Sequence, residues 1–577
     1  MVRFLESRFL LLVLLLLAVM GTVMVLSALQ EVQTWDEGFD LAAGYSYWKT
    51  GDFRINREHP PLGKYINALP LLVLNPTLPL DHPSWREENP PAFGSQFLYH
   101  NRIPADTLMF AGRSMTILLT LCLGLALALW TRRQFGAPAA LLALLLYVCD
   151  PNIIAHGRYV TSDFVVTLFI FLAVITWDAW LRSGRRRDLF WAGLTFGCAI
   201  MSKFSAFLLV PIHLLLYLIQ WRVARRAFSV WHFARSLLAV GLLAFLVMLV
   251  MYAPEDGKLI PMSHHARLAH PEMHTLRETV NTGSLYGKAM AYLGTRLGLR
   301  AHSFFLATSH LAAHNAAGHS AYLLGKHSDN GWWYYFPVVF AVKTPTATLL
   351  AFAAALLLAC RGFRARWLVM LVPAVVFFLF CMTAGINIGV RHILPVYPFV
   401  MVFSAAVLTG SSYRLKPWLV GAVAVILVAE SAAIYPHYLA FFNTISGGPG
   451  YGPHYLLDSN IDWGQDVKKL KLWMDAHGVH QVRILYFGCA DLWYYNIPNG
   501  TVPEADDEKG WAQLDDVVAA NVTPLYGAYV GPQRLARLRA MRPIAKIGYS
   551  IYLYDFRKPK PAPPAPQSTG SPGSAGS

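Results

Sequence analysis

Long apolar runs separated by short polar links dominate the chain. A helix crossing the hydrocarbon core needs roughly 20 mostly apolar residues. On that criterion the pattern predicts eleven spans, near residues 9–29, 107–130, 137–149, 163–181, 189–201, 204–220, 236–252, 345–360, 367–383, 393–410 and 418–435. The links alternate in character. Arg3 and Arg8 precede the first run, and Arg132 and Arg133 follow the second. Arg182, Arg185, Arg186 and Arg187 follow the fourth, and Arg222, Arg225 and Arg226 follow the sixth. Arg361, Arg364 and Arg366 follow the eighth, and Arg414 and Lys416 the tenth. Basic links of this kind stay on the cytoplasmic side. The N-terminus is therefore expected inside, and the loops bearing Asp36, Asp163, His319 and Arg391, with the C-terminal region, outside. The first run ends near a small-residue Ser27-Ala28 pair, but its apolar core is longer than that of a signal peptide and reads as an uncleaved span.

The outer parts have their own patterns. Gly38–Thr50 and Pro61–Leu74 mix aromatic, apolar and polar residues, as short helices lying along the membrane interface do. The loop 253–335 is rich in His and Gly and leads into the aromatic cluster Gly331–Pro337, a composition suited to the headgroup level. Beyond residue 436 the chain turns polar. Asp466–His477 has the period of an amphipathic helix, Val482–Phe487 and Tyr549–Tyr554 read as strands, and Arg534–Met541 reads as a second helix. From Lys558 onward Pro, Ala, Ser and Gly dominate, which predicts a disordered tail. The expected fold class is thus mainly α: a polytopic membrane protein with about eleven transmembrane helices. Residues 1–435 form its membrane part with outer loops 30–106 and 253–335, 436–556 a small extracytoplasmic α/β domain, and 557–577 a tail. No internal repeat is visible.

Composition agrees: of 577 residues, 55% are hydrophobic and 14% charged. The net charge of +15 would suit nucleic acid, but the basic residues lie in the short links where they orient spans, so no nucleic-acid partner is expected. The six cysteines form neither a disulfide framework nor a C-x-x-C metal site.

Chemistry-bearing residues collect at the predicted outer mouths. Asp36 and Glu37 follow the first span. Being adjacent they point different ways, so one can face a substrate while the other holds local structure. His59 and Lys64 flank Pro60-Pro61, a rigid start to the next helix, and are potential phosphate donors. Asp163 opens the fourth span, as a functional acid or as part of an N-cap. Lys203 and Arg391 are cations on the side that should lack them, either binding phosphate or snorkelling to headgroups, and Lys343 carries the same ambiguity. His310 and His314 have i, i+4 spacing but no further ligand pattern, and read as a polar loop with His319. Asp458–Asp466 resembles a calcium loop in part, without its spacing or terminal Glu, or else a turn in which Asp462 caps the next helix.

Together, Asp36-Glu37, His59-Pro60-Pro61-Leu62, Thr161-Ser162-Asp163 and Arg391-His392 with Leu394-Pro395 resemble the GT-C membrane glycosyltransferases. The likeness is greatest to the protein O-mannosyltransferase and aminoarabinose-transferase group (glycosyltransferase family 39-like) and to bacterial members sharing Gly331–Pro337, Lys343-Thr344-Pro345 and the Asp458–Asp466 run. It covers most of the chain except the tail. The resemblance implies a sugar donor carried on a polyprenyl phosphate, and inverting transfer to an acceptor hydroxyl of a protein, lipid or glycan on the outer face of a bacterial inner membrane. It implies Asp36 as catalytic base, with Glu37 and Asp163 as further catalytic acids. Arg391, Lys203, Lys64 and His59 are the expected lipid-phosphate contacts. No metal ligand is assigned and no cofactor is required, although a divalent metal is compatible with the superfamily. The rival class, a transporter or lipid flippase, would show repeated halves and ionisable groups near the midplane.

Overall fold

The computed structural model describes residues 2–224, 229–254, 303–304, 307–308, 318–410 and 417–557. The readings on Arg225, Arg226, His310, His314, Arg414, Lys416, the bulk of the loop 253–335 and the tail from Lys558 lie outside these residues.

Every predicted apolar run lies on a helix. The helices are α1 (Phe9–Ala28), α2 (Glu37–Thr50), α3 (Leu62–Leu74), α4 (Ala105–Phe135), α5 (Ala137–Val148), α6 (Ser162–Ser183), α7 (Arg186–Ile200), α8 (Leu209–Ala224) and α9 (Val230–Met251). They continue with α10 (Tyr335–Lys343), α11 (Thr346–Arg361), α12 (Leu368–Cys381), α13 (Tyr397–Leu408), α14 (Pro417–Ala433) and α15 (Val467–Ala476). Lengths are unequal. Among the described residues six stretches are long and apolar enough to cross a membrane: α1, α4, α6, Phe204–Val223, α9 and Val390–Leu408. The α10–α11 pair, bent by 113°, makes a seventh if taken as one broken span. The bend falls at Thr344-Pro345, where proline forces its predecessor into extended backbone (Thr344 ψ 133°). α5, α12 and α14 are shorter apolar helices. The chain is thus a multi-pass membrane protein.

The helix ends separate by charge. Arg132 pairs with Glu6 at 3.0 Å, Arg182 donates to Gln134 Oε1 at 2.7 Å, and Arg366 lies over the Phe135 ring at 5.0 Å. Three basic links therefore meet at one end. Asp36, Asp163, Lys203 and Arg391 meet at the other.

α2 departs from the interfacial reading, whereas α3 keeps an exposed apolar face at Leu69, Leu72 and Val73. α2 is buried along most of its length, packed against α3, the helix Pro90–Tyr99 and α4. Its mixed composition serves contacts on all sides, not a boundary between lipid and water. Gly44 makes this packing feasible: a Cβ there would lie 2.1 Å from the Lys64 carbonyl oxygen.

In the C-terminal part, β3 (Val482–Leu485), β4 (Asn499–Gly500), β5 (Val517–Asn521), β6 (Ala545–Ile547) and β7 (Ile551–Asp555) form one sheet in the order β4-β3-β5-β7-β6. A separate hairpin joins β1 (Ala321–Leu323) to β2 (Lys326–Ser328). β3 runs parallel to β4 and β5, with Val482 opposite Val517, and β7 is antiparallel to β5 and β6. β5, central and buried throughout, was not foreseen. The expected helix at 534–541 shrinks to the single turn Ala536–Arg539.

Residues 438–466 bind the sheet to the helices. Asn443 Nδ2 donates to the carbonyls of Ala341 and Thr344, and Lys343 Nζ donates to those of Leu439 and Asn460. Val32 N donates to Gln465 O at 3.1 Å and Trp35 N to Trp463 O at 3.0 Å. The stretch leading into α2 is therefore laced directly to the C-terminal part.

Candidate active site

At the acid-bearing end of the helices lies a cavity of about 890 Å³. One wall comes from the α1–α3 region: Trp35, Asp36, Phe39, Asp40, Asn56, Glu58 and His59. Lys203, Arg391 and His392 form a second side. A third comes from the C-terminal part, with Asp458, Trp463, Tyr486, Phe487 and Tyr529. Phe487 and Tyr529 lie just past β3 and β5, two adjacent parallel strands. Cavities beyond the carboxyl ends of parallel strands are a recurrent consequence of this topology.

Asp36 sits at the N-terminal boundary of α2. Its Oδ2 accepts from Arg391 Nη1 at 2.7 Å, and the side chain stays 26% exposed, on the cavity side. Burial pushes its pKa above the ordinary carboxylate value, while Arg391 pulls against it. The same Nη1 is 3.8 Å from Asp163 Oδ2, and Lys203 Nζ is 2.5 Å from Asp163 Oδ1. Residues 36, 163, 203 and 391 thus form one connected set of charges. Asp163 lies slightly apart, in a pocket of about 70 Å³ that shares Lys203, Arg391 and His392 with the main cavity and is otherwise mostly apolar.

Arg391 is set by several partners. Val390 N donates to Asn460 Oδ1 at 2.9 Å, Ser459 Oγ donates to Ile388 O at 2.8 Å, and the guanidinium lies 4.4 Å above the Trp463 ring. A Cβ on Gly389 would come within 2.3 Å of Ser459 Oγ. Three buried nitrogens on this side, Arg391 Nε, His392 Nε2 and His59 Nδ1, find no partner among the described residues. Burial pushes the His59 pKa down to about 3, with Lys203 adding to the effect, so the ring is neutral.

Two of the expected site residues are corrected. Glu37 is fully buried and faces away from the cavity. Arg113 holds it with Nε at 2.8 Å and Nη2 at 2.6 Å, and the amides of Thr34 and Val160 complete its hydrogen bonds. Burial favours the neutral carboxyl, but Arg113 and these amides hold the pKa below the ordinary value. Glu37 ties α2 to α4 and the loop before α6 and offers no face to the cavity. Lys64 likewise does not reach the cavity: its Nζ donates to the carbonyls of Asn56 and His59. Lys343 is also buried on carbonyls.

The Asp458–Asp466 run is neither a calcium loop nor a helix cap. Asp462 accepts from Asn521 Nδ2 at 2.7 Å and Thr523 N at 3.0 Å, while Asp466 accepts from Lys469 Nζ at 2.6 Å and Ser550 Oγ at 2.6 Å. These acids face different partners, and among the described residues no group of three or more His, Cys, Asp or Glu side chains is placed to hold a metal ion. Sequence reasoning missed Asp40, Glu58, His392 and Asp458 as cavity residues. The i, i+4 spacing of Asp36 and Asp40 was a usable signal.

The arrangement defines a multi-pass membrane protein with a polar chamber at one end of its helices, an acid and clustered cations within it. Residues 102–251 match the family model described as dolichyl-phosphate-mannose-protein mannosyltransferase. No curated protein matches the chain. Among solved structures, the chain is similar to ArnT from Cupriavidus metallidurans bound to undecaprenyl phosphate: 15% identity, TM-score 0.46, 94% of this chain and 97% of that one covered. It is also similar to the archaeal oligosaccharyltransferase AglB from Archaeoglobus fulgidus in complex with an inhibitory peptide and a dolichol-phosphate. There the identity is 13% and the TM-score 0.45, with 92% of this chain and 72% of that one covered.

Proposed function

We propose that the chain is a glycosyltransferase that moves a sugar from a polyprenyl-phosphate donor to an acceptor hydroxyl by inverting displacement. The observation that carries this is the contact between Asp36, a partly exposed acid with a raised pKa, and Arg391, in one cavity with Lys203 and His59. The match of residues 102–251 to a family described by a lipid-phosphate mannose donor supports it.

The chemistry follows from the groups. An acceptor hydroxyl donates its proton to Asp36 as its oxygen attacks the anomeric carbon. The sugar–phosphate bond breaks and the electron pair leaves with the lipid phosphate. A phosphate is already a competent leaving anion, so the protein's task is to hold its charge and fix the angle of attack. Arg391 can offer a two-pronged contact and Lys203 a point charge. The unpartnered nitrogens of Arg391, His392 and His59 add donors on the same side. Arg391 leaves Asp36 for the donor phosphate, which frees the carboxylate to take a proton. Asp163 keeps Lys203 and Arg391 in place from behind. No cofactor enters this scheme, and the sugar, hexose or pentose, is left open by it. The partners are the lipid-linked sugar, the acceptor and the surrounding membrane lipids. The basic links support an orientation in a bacterial inner membrane with the opposite helix ends cytoplasmic and the chamber outside.

Asp36→Asn tests the reading. Transfer from labelled polyprenyl-phosphate sugars should fall by about 10²–10⁴, the usual weight of general base catalysis, with undecaprenyl-phosphate binding retained. Near-normal transfer by this variant removes Asp36 as the base. Vectorial movement of lipid without turnover would favour the transporter instead.

A further inference from the structure

Asp36 has a second carboxylate for company, and it is not Glu37. Asp40 lies one helical turn further along α2, where its backbone N–H donates to the Asp36 carbonyl at 3.1 Å. Both side chains line the main cavity, and i, i+4 residues share a helix face about 5–6 Å apart at Cβ. Asn56 Nδ2 donates to Asp40 Oδ1, and Asn56 is held in turn, its carbonyl accepting from Lys64 Nζ. Asn56 also lines the cavity and adopts φ 53°, in the left-handed region that Asn tolerates. Asp40 is therefore buried, clamped on one oxygen and set in the reaction chamber beside the base.

Across the chamber stands Asp458, oriented by the Tyr529 hydroxyl that donates to its Oδ2. Around these acids are rings: Trp35 stacks on Phe487 at 5.3 Å, and Phe487 on Tyr529 at 5.4 Å. Several carboxylates and an amide, framed by aromatic surface, suit a ligand with many hydroxyl groups and apolar C–H faces. A peptide acceptor would be better served by a free strand edge or paired backbone donors and acceptors, and the cavity residues named here supply neither.

We infer that Asp40 is an acceptor-binding residue, which grips a second hydroxyl beside the one that Asp36 deprotonates, so that the acceptor is a saccharide. This rests on the glycosyltransferase reading for its consequence but not for its test. A sugar ring, or two linked rings, presents hydroxyls spaced to meet carboxylates one helical turn apart. A serine or threonine side chain presents one. Burial pushes the Asp40 pKa up to about 7, and either form can bond a hydroxyl: the carboxylate accepts from it, and the neutral acid also donates to it.

Binding can be read without turnover. Purified full-length protein in detergent is probed by saturation-transfer NMR with a panel of methyl glycosides and disaccharides, and in parallel with a serine-containing peptide. Undecaprenyl phosphate binding is measured on the same samples. The expected result is saturation transfer to one or more saccharides and none to the peptide. In Asp40→Asn saccharide binding should fall at least tenfold, in Asp40→Glu it should be partly retained, and both variants should hold undecaprenyl phosphate as the parent does. Retained phospholipid binding shows that the variants are folded. Saccharide binding that is unchanged in Asp40→Asn, or a peptide that binds while every saccharide fails, overturns the assignment. Loss of phospholipid binding in the parent would count against the glycosyltransferase reading while leaving the saccharide result to stand on its own.

Discussion

Asp36 and Glu37 are neighbours in sequence and opposites in use. Which one faces substrate is decided by Arg113, 76 positions along the chain from Glu37, so no local pattern could assign it. Asp40 had a local signal in its i, i+4 spacing from Asp36, but its value lies in the cavity that forms around it. By contrast Asp36, Asp163, Lys203 and Arg391 stood out as ionisable groups at the ends of apolar runs, where burial is costly and a role is expected. The pairing of Asp36 with Arg391 has a measurable sign. Burial raises the Asp36 pKa and Arg391 lowers it, with a net rise. The base acts only when ionised, so the rate should fall as pH drops through that raised value, above the unperturbed ~3.9. Arg391→Gln removes the lowering partner, so the acid limb of the kcat/KM profile, which reports the donor-free enzyme, should move to higher pH, alongside weaker donor binding. A limb that stays in place removes the pairing from the mechanism.

Among the elements, helices were the legible part because a membrane demands long apolar runs and leaves little else to read. Their positions follow the hydropathy; their lengths and the sharp turn at Thr344-Pro345 depend on contacts. β5 escaped notice for a physical reason. Val517–Asn521 is covered on both faces, so it shows no alternation, and its two alanines carry little strand preference. α2 misled in the other direction, since polar residues that look solvated are instead paired inside the protein. The Glu37–Arg113 tie, buried on both sides, is what anchors α2 to α4. Glu37→Gln should leave a buried guanidinium without its counter-charge, a loss of about 3–5 kcal/mol for a broken buried pair. Scanning fluorimetry of the purified protein should show a clearly lowered melting temperature. An unchanged one would mean that Arg113 is satisfied by the Ala28 and Val32 carbonyls it already meets.

For the molecule as a whole, two ends are distinguished by charge, and the proposed orientation, with the basic end cytoplasmic, can be tested directly. Arg186 is exposed in one of those links, and Trp493 is 64% exposed in the C-terminal part. With the six native cysteines replaced, Trp493→Cys should react with an impermeant maleimide on cells whose inner membrane is intact but reachable. Arg186→Cys should react only after that membrane is opened. The reverse pattern would invert the protein. What the linear pattern could not convey is that the C-terminal part is not an appendage: the turn 458–463 and the loops after β3 and β5 close the chamber that the first loop opens.

The lacing of Val32 and Trp35 to Gln465 and Trp463 carries a consequence for biogenesis. Asp36 emerges from the ribosome among the first forty residues, yet the strip of backbone that fixes its neighbours, and Tyr529 beyond that, are made much later. During translation the early helices are inserted around a half-built vessel with no far wall. The chamber is complete only once the final quarter of the polypeptide has been made and has folded back onto its beginning.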